Sequence, residues 1–190
     1  MSLCFTGRSQ SLPSKLKGVF IMSDFREISP AELTDNPFTL IGQDWLLVTA
    51  AAEGRANTMT ASWGSLGVLW SLPVATIYLR PQRYTKEFVD KSAAFSLSVL
   101  DDSHRATLSY LGAVSGRDED KIKKSGLTIA HEGEVPYFKE SRLVLICRKL
   151  YRQAMNPENF VVPALINQWY SQEDYHTMYV GAIEKILQRG

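Results

Sequence analysis

The sequence predicts a mainly β protein with inserted helices, its antiparallel sheet closed into a barrel. Three observations carry that expectation. Five or six segments have strand character. The helical segments between them are few and short. They do not follow the regular strand–helix–strand alternation that a parallel sheet requires.

The segments can be taken in order. Residues 45–51 (WLLVTAA) form a continuous apolar run with Gln-Asp before it and Glu-Gly after it. Residues 57–62 are a shorter, polar strand candidate. Residues 74–80 (VATIYLR) are rich in β-formers and closed by Pro81. A helix over 85–91 follows that proline turn and packs Phe88 and Val89. Residues 95–100 (FSLSVL) alternate, with Phe95, Leu97 and Val99 on one face and Ser96 and Ser98 on the other. Residues 103–111 read as a helix capped by Asp102 or Ser103 and stopped at Gly112. A short helix over 118–124 ends at Gly126. Residues 142–153 and 176–187 are long β-type runs. Between them lie a surface loop, 155–163, marked by Asn156-Pro157, and a short helix over 163–170.

Composition narrows the class. The 190 residues suit one domain with one sizeable core, at 45% hydrophobic and 22% charged residues. With 21 basic and 20 acidic side chains there is no basic excess of the kind a nucleic-acid coat protein carries. No apolar run is long enough to cross a bilayer. Cys4 and Cys147 are far apart and form no CxxC motif, which fits a reducing, cytoplasmic setting. His104, His131 and His176 are scattered and give no metal cluster. Residues 1–21 are rich in Ser, Lys and Gly and lack the apolar core of a secretory signal. They read as a disordered extension before a native start at Met22, leaving 22–190 as the single domain.

Four places can carry chemistry. In Arg80-Pro81-Gln82-Arg83-Tyr84-Thr85 a strand hands over to a helix, and helix starts suit anions. Arg83 adds a forked donor set and Thr85 a hydroxyl, together a phosphate cradle. The same text also reads as an N-cap with surface charges. In residues 57–64 Thr58, Thr60 and Ser62 share one strand face, and Asn57, Met59, Ala61 and Trp63 share the other. Hydroxyls and backbone there can line a flat polar ring, with Trp63 at its flank; the alternative is a Thr-rich edge strand with a core tryptophan. In Ser115-Gly116-Arg117-Asp118-Glu119-Asp120-Lys121 a turn leads to a helix capped by Asp118. Lys121 can reach a phosphate or simply be solvated. His176, at the start of the last strand, can donate a hydrogen bond to a ring, move a proton near neutral pH, or be structural. Cys147 reads as a buried, inert thiol. Trp169-Tyr170 reads as a core pair, or as one that closes a pocket or meets a partner.

Taken together, residues 57–70 (NTMTASWGSLGVLW), 73–88 (PVATIYLRPQRYTKEF), 115–121 (SGRDEDK) and 176–183 (HTMYVGAI) resemble the flavin reductase-like family. The resemblance runs from about Asp24 to the C-terminus. It departs at the family's usual Gly-Asp-His, which reads Asp174-Tyr175-His176 here. The resemblance implies the FMN-binding split-barrel fold, shared with the flavoredoxins, and non-covalent FMN at the interface of a homodimer. By matching position it implies that Asn57, Thr58, Met59, Thr60, Ala61, Ser62 and Trp63 face the isoalloxazine and ribityl chain. Arg83, Tyr84 and Thr85 hold the phosphate, Lys121 supports it, and His176 lies near the ring or the nicotinamide.

The function expected on that basis is an NAD(P)H-dependent flavin reductase. No GxGxxG motif occurs, so the nicotinamide binds transiently over the flavin rather than in a domain of its own. The alternative is a flavoredoxin-like FMN electron carrier served by a protein partner, or a flavin-storage module without turnover.

Overall fold

From Phe25 onward the chain alternates hairpins with short helices, in a computed structural model that describes residues 25–190. The extension expected over 1–21, the start expected at Met22 and Cys4 lie outside those residues. Strand β1 (Phe25–Ile28) comes first. Helix α1 (Pro37–Thr39) runs on into a π-turn at Leu40–Asp44. β2 (Leu46–Ala52) and β3 (Arg55–Ala61) form a hairpin whose two turn residues, Glu53 and Gly54, lie at φ 53° and 74°. Positive φ at both is what a two-residue I′ turn needs to match strand twist. β4 (Gly64–Leu69) and β5 (Leu72–Leu79) form a second hairpin, turned at Trp70 and Ser71. Then come α2 (Tyr84–Lys91), β6 (Ala94–Val99), α3 (Arg105–Ala113) and α4 (Lys121–Ser125). The hairpin of β7 (Ile129–Glu132) and β8 (Val135–Phe138) leads to the long β9 (Leu143–Ala154), α5 (Ala164–Trp169) and β10 (Thr177–Arg189).

The main sheet runs β3-β2-β6-β9-β10-β5-β4, antiparallel at every step. β10 is long enough to pair with β9 on one side and, on the other, with β5 first and β1 afterwards. The ends of the path, β3 and β4, are joined by only Ser62 and Trp63. Three Cα steps span at most roughly 11 Å, so the sheet must curl until its ends face each other. They share no ladder, and the barrel is split there.

Burial explains the sequence runs. β2 turns Leu46, Val48 and Ala50 into the barrel with Ile77, Phe95 and Tyr179. Its other face buries Leu47 under Leu108, Leu111 and Phe138. A strand covered on both faces reads as a continuous apolar run, as residues 45–51 do. β6 faces Phe95, Leu97 and Val99 inward as expected. Ser96 and Ser98 are buried as well, because β8 lies over them. Ser96 Oγ donates to Pro136 O at 2.6 Å, and Ser98 Oγ accepts from Phe138 N at 3.5 Å.

Several local expectations need correction. Neither Asp102 nor Ser103 caps α3; a 3₁₀ turn over Asp102–His104 precedes it. Gly112 lies inside α3 rather than stopping it, and it packs against Thr60. α4 is capped by Asp120, whose side chain accepts from Lys123 N, and Asp118 takes no part. Gly126 does end α4, in the left-handed region. β3 is a seven-residue strand at the edge of the sheet with Asn57, Thr58 and Met59 buried, rather than a short polar segment, and Ser62 lies beyond its end.

Candidate functional site

The turn after β5 builds one end of the site. Arg83 is the residue before α2, and its side chain makes no capping bond. It reaches across instead, donating from Nη1 to Gly112 O at 2.6 Å. Thr85 is buried in the first turn of α2. Its hydroxyl accepts from Asn57 Nδ2 at 2.9 Å, which leaves its own proton to donate, so it is not a cap. Lys121 is 4% exposed, with Nζ donating to Leu111 O and Val114 O, both at 2.8 Å. The expected Ser115–Gly116 turn is present, with Ser115 Oγ accepting from Arg117 N. A Cβ on residue 116 would stand 2.2 Å from Asn57 Oδ1, so only glycine permits this approach.

These residues enclose a cavity of about 420 Å³, lined also by Met59, Arg80, Gln82 and Tyr84. Among the described residues lining it there are three cations and no carboxylate. Burial, and then Arg80, lowers the Arg83 pKa. Burial, and then Arg83, pulls Lys121 down to about 8. Arg80 thus disfavours charge on Arg83, and Arg83 on Lys121, and an anion in the cavity relieves both. First-turn amides of α2 without intrahelical partners add to the same end.

The groove continues along β3. A second space of about 250 Å³ shares Met59, Arg80 and Arg83 with the first and adds Thr60, Ala61, Ser62, Trp63, Tyr78 and His176. The expected row of ring-facing hydroxyls is not there. Thr58 Oγ1 is buried, 2.9 Å from Thr49 Oγ1, and donates to Val48 O at 3.2 Å. Thr60 Oγ1 donates to Leu108 O at 2.6 Å. These hydroxyls tie β3 to β2 and α3. Because β3 ends the sheet path, alternate peptide groups point away from β2, and backbone is what this edge offers the groove.

His176 closes the far end. Nδ1 lies 2.9 Å from the Tyr170 hydroxyl, and the ring packs 5.0 Å from Trp63 at 39°. Burial first, and then Arg80, takes its pKa from 6.5 down to about 4. It is therefore neutral at pH 7, able to accept or donate a hydrogen bond without carrying charge. Trp169 sets its ring edge on Trp63 at 5.1 Å and stays 44% exposed, while Tyr170 is buried. Arg80 donates to Trp169 O at 2.9 Å and pairs with Asp174, which also accepts from Gln82 Nε2 at 2.7 Å. Those bonds from Gln82 and Arg80 hold the Asp174 carboxyl below its usual range. The departure at Asp174-Tyr175-His176 thus anchors the segment carrying Trp169 to the end of β5. Cys147 is buried as expected, and burial pushes its thiol pKa up.

Arg80, Tyr78, Ser115 and Gly116 were not among the sequence-derived site residues. Strand alternation held a signal for the first two: Ile77 and Leu79 are buried in the barrel, so Tyr78 and Arg80 share the other face. Among the described residues no group of three or more His, Cys, Asp or Glu converges as a metal site. No helix among them is long and apolar enough to cross a membrane.

Fold and site together define a split-barrel protein built around one groove with a cationic end. The chain belongs to the flavin reductase like family, whose domain model matches residues 39–189. In fold it is similar to the FMN-binding domain of a flavin reductases-like enzyme from Shewanella baltica OS155, with a TM-score of 0.64, 18% identity, and 87% of this chain and 77% of that one covered. It is also similar to the flavoredoxin of Desulfovibrio vulgaris (Miyazaki F), with a TM-score of 0.60, 21% identity and coverages of 85% and 75%. A protein of uncharacterised function from Aeropyrum pernix is 34% identical over 91 residues, 47% of this chain. The chain spans 34% of that relative's length.

Proposed function

We propose that the protein binds FMN non-covalently and acts as an NAD(P)H-dependent flavin reductase. The observation that carries this reading is the carboxylate-free cavity of Arg83, Lys121 and Arg80 at one end of an aromatic-flanked groove. The residues present fit the group. Arg83, Lys121, the Thr85 hydroxyl and the first-turn amides of α2 would take the phosphate, with Tyr84 beside it. Asn57, bonded to Thr85 and closely approached by Gly116, would stand at the ribityl chain. Met59 to Trp63 would flank the ring with edge backbone. His176 gives one ring nitrogen to Tyr170 and keeps the other for a carbonyl or amide of the ring or the nicotinamide.

Bound FMN supplies hydride acceptance and electron transfer, and the chain supplies binding, orientation and electrostatics. The two desolvated cations hold the anionic end, and the neutral His176 adds no charge at the other end. The same reading makes the protein a homodimer with FMN near the subunit interface. Its support is the β4–β5 hairpin, a free sheet edge on which Val68 is 78% and Trp70 57% exposed. A cytoplasmic setting belongs to the same reading and rests on the spacing of the two cysteines.

Neighbours in fold include both a flavin reductase, PheA2, and flavoredoxins, so the donor is what experiment must separate. The purified protein is expected to take up FMN and to oxidise NADH or NADPH when flavin is added. A protein that holds FMN but oxidises neither is a carrier in the flavoredoxin manner. One that ignores FMN in a titration removes the reading altogether.

A further inference from the structure

We infer that the cavity adjoining the groove at Ser62, Trp63 and Tyr78 is a binding site for an uncharged organic molecule of one or two rings bearing a carbonyl, quinones included. The cavity measures about 570 Å³, within the range of small-molecule sites. Its walls include Phe38, Ile41, Leu66, Trp63, Met155 and Tyr78, and among the described residues lining it none is Asp, Glu, Lys, Arg or His. That composition separates it from the neighbouring groove, where Arg80, Arg83 and His176 converge. An uncharged wall cannot compensate the desolvation of a phosphate or carboxylate, whereas apolar rings gain from burial there.

Tyr78 gives the site a direction. It is half-buried, it lines this cavity and the groove alike, and its hydroxyl has no hydrogen-bond partner among the described residues. A phenol left without a partner at the edge of an apolar pocket is a donor waiting for a carbonyl oxygen. Ser62, Trp63 and Tyr78 line both spaces, so a molecule seated here lies against the ring end of the groove. As a binding site this stands alone; as the seat of the electron acceptor it rests on the FMN reading. A quinone bound there would take two electrons and two protons from the dihydroflavin and leave as hydroquinone, returning the flavin to its oxidised form.

Duroquinone is a suitable probe, since it has no ring position open to thiol addition. Tetramethylbenzoate matches its size but is anionic at pH 7. In equilibrium dialysis, duroquinone should bind saturably at one site per chain, and tetramethylbenzoate at least tenfold more weakly. Ser65 is exposed and lines this cavity but not the groove. Ser65→Phe should fill the space and weaken duroquinone at least tenfold. Tyr78→Phe should weaken it about three- to tenfold, the loss of one neutral hydrogen bond. An FMN titration of wild type and Ser65→Phe accompanies each series. Non-saturable uptake, equal binding of the anion, or wild-type binding by Ser65→Phe while FMN still binds would overturn the inference. Duroquinone binding without FMN binding would leave the site standing and remove only its role as acceptor seat.

Discussion

Arg83 and Lys121 share one desolvated cavity, and what each does follows from that. Arg83→Ala should cost FMN affinity about 1.5–3 kcal/mol, the worth of a charge-assisted contact, with little change for riboflavin. Calorimetric titration of both ligands reads the difference, and equal losses would show that Arg83 does not meet the phosphate. Lys121 adds a pH dependence. Its pKa of about 8 means the ligand-free cradle loses a charge as pH rises through that value. FMN affinity should therefore fall above pH 8 and riboflavin affinity should not, as fluorescence titrations from pH 7 to 9.5 would record. His176 works in the acid range. Its folded pKa of about 4 lies below the ordinary 6.5, so the unfolded chain binds more protons between them. The group contributes stability that is complete above 6.5 and is lost as pH falls toward 4. His176→Gln should flatten that part of the curve of urea midpoint against pH.

The two hairpins at the split differ in their turns. β2–β3 places Gly54 at the second turn position, at φ 74°, while β4–β5 places Ser71 there, at φ 58°, after Trp70 at φ 53°. A non-glycine residue in the left-handed region costs about 1–2 kcal/mol. Ser71→Gly should raise stability by about 1 kcal/mol, less the extra chain entropy of glycine, in urea unfolding. The strands with the strongest composition were legible from sequence. Residues 142–153 became β9 and 176–187 became β10, each end within a residue or two. β4, β7 and β8 were not legible. In β4 two glycines and a serine interrupt the apolar alternation, and β7 and β8 are only four residues each. Asp120 took the cap of α4 from Asp118 because the Ser115 turn runs further than the acidic run suggested.

At the scale of the whole molecule, the face proposed to join two copies is the β4–β5 hairpin. Val68, Leu69, Trp70 and Leu72 are exposed there, and Tyr151 packs beside Trp70. If this face joins two copies, Val68→Glu combined with Trp70→Lys should give a monomer by light scattering, with weaker FMN binding. A wild-type protein that is already monomeric and binds FMN fully would refute the interface reading.

The sequence by itself determined the antiparallel barrel, the strand-to-helix turn with Arg83 and Thr85, and the resemblance that joins four separated segments. Those features are local: runs of β-formers, a proline turn, a glycine between polar residues. Only the tertiary structure decided which groups face the groove. Thr58 and Thr60 turned out to be spent on Val48 and Leu108, Lys121 was buried against two carbonyls, and Arg80 was captured by Asp174. Each outcome depends on a partner at least seven positions away in sequence. A hydroxyl or an ammonium shows only the bonds it can make; packing selects the one it does make.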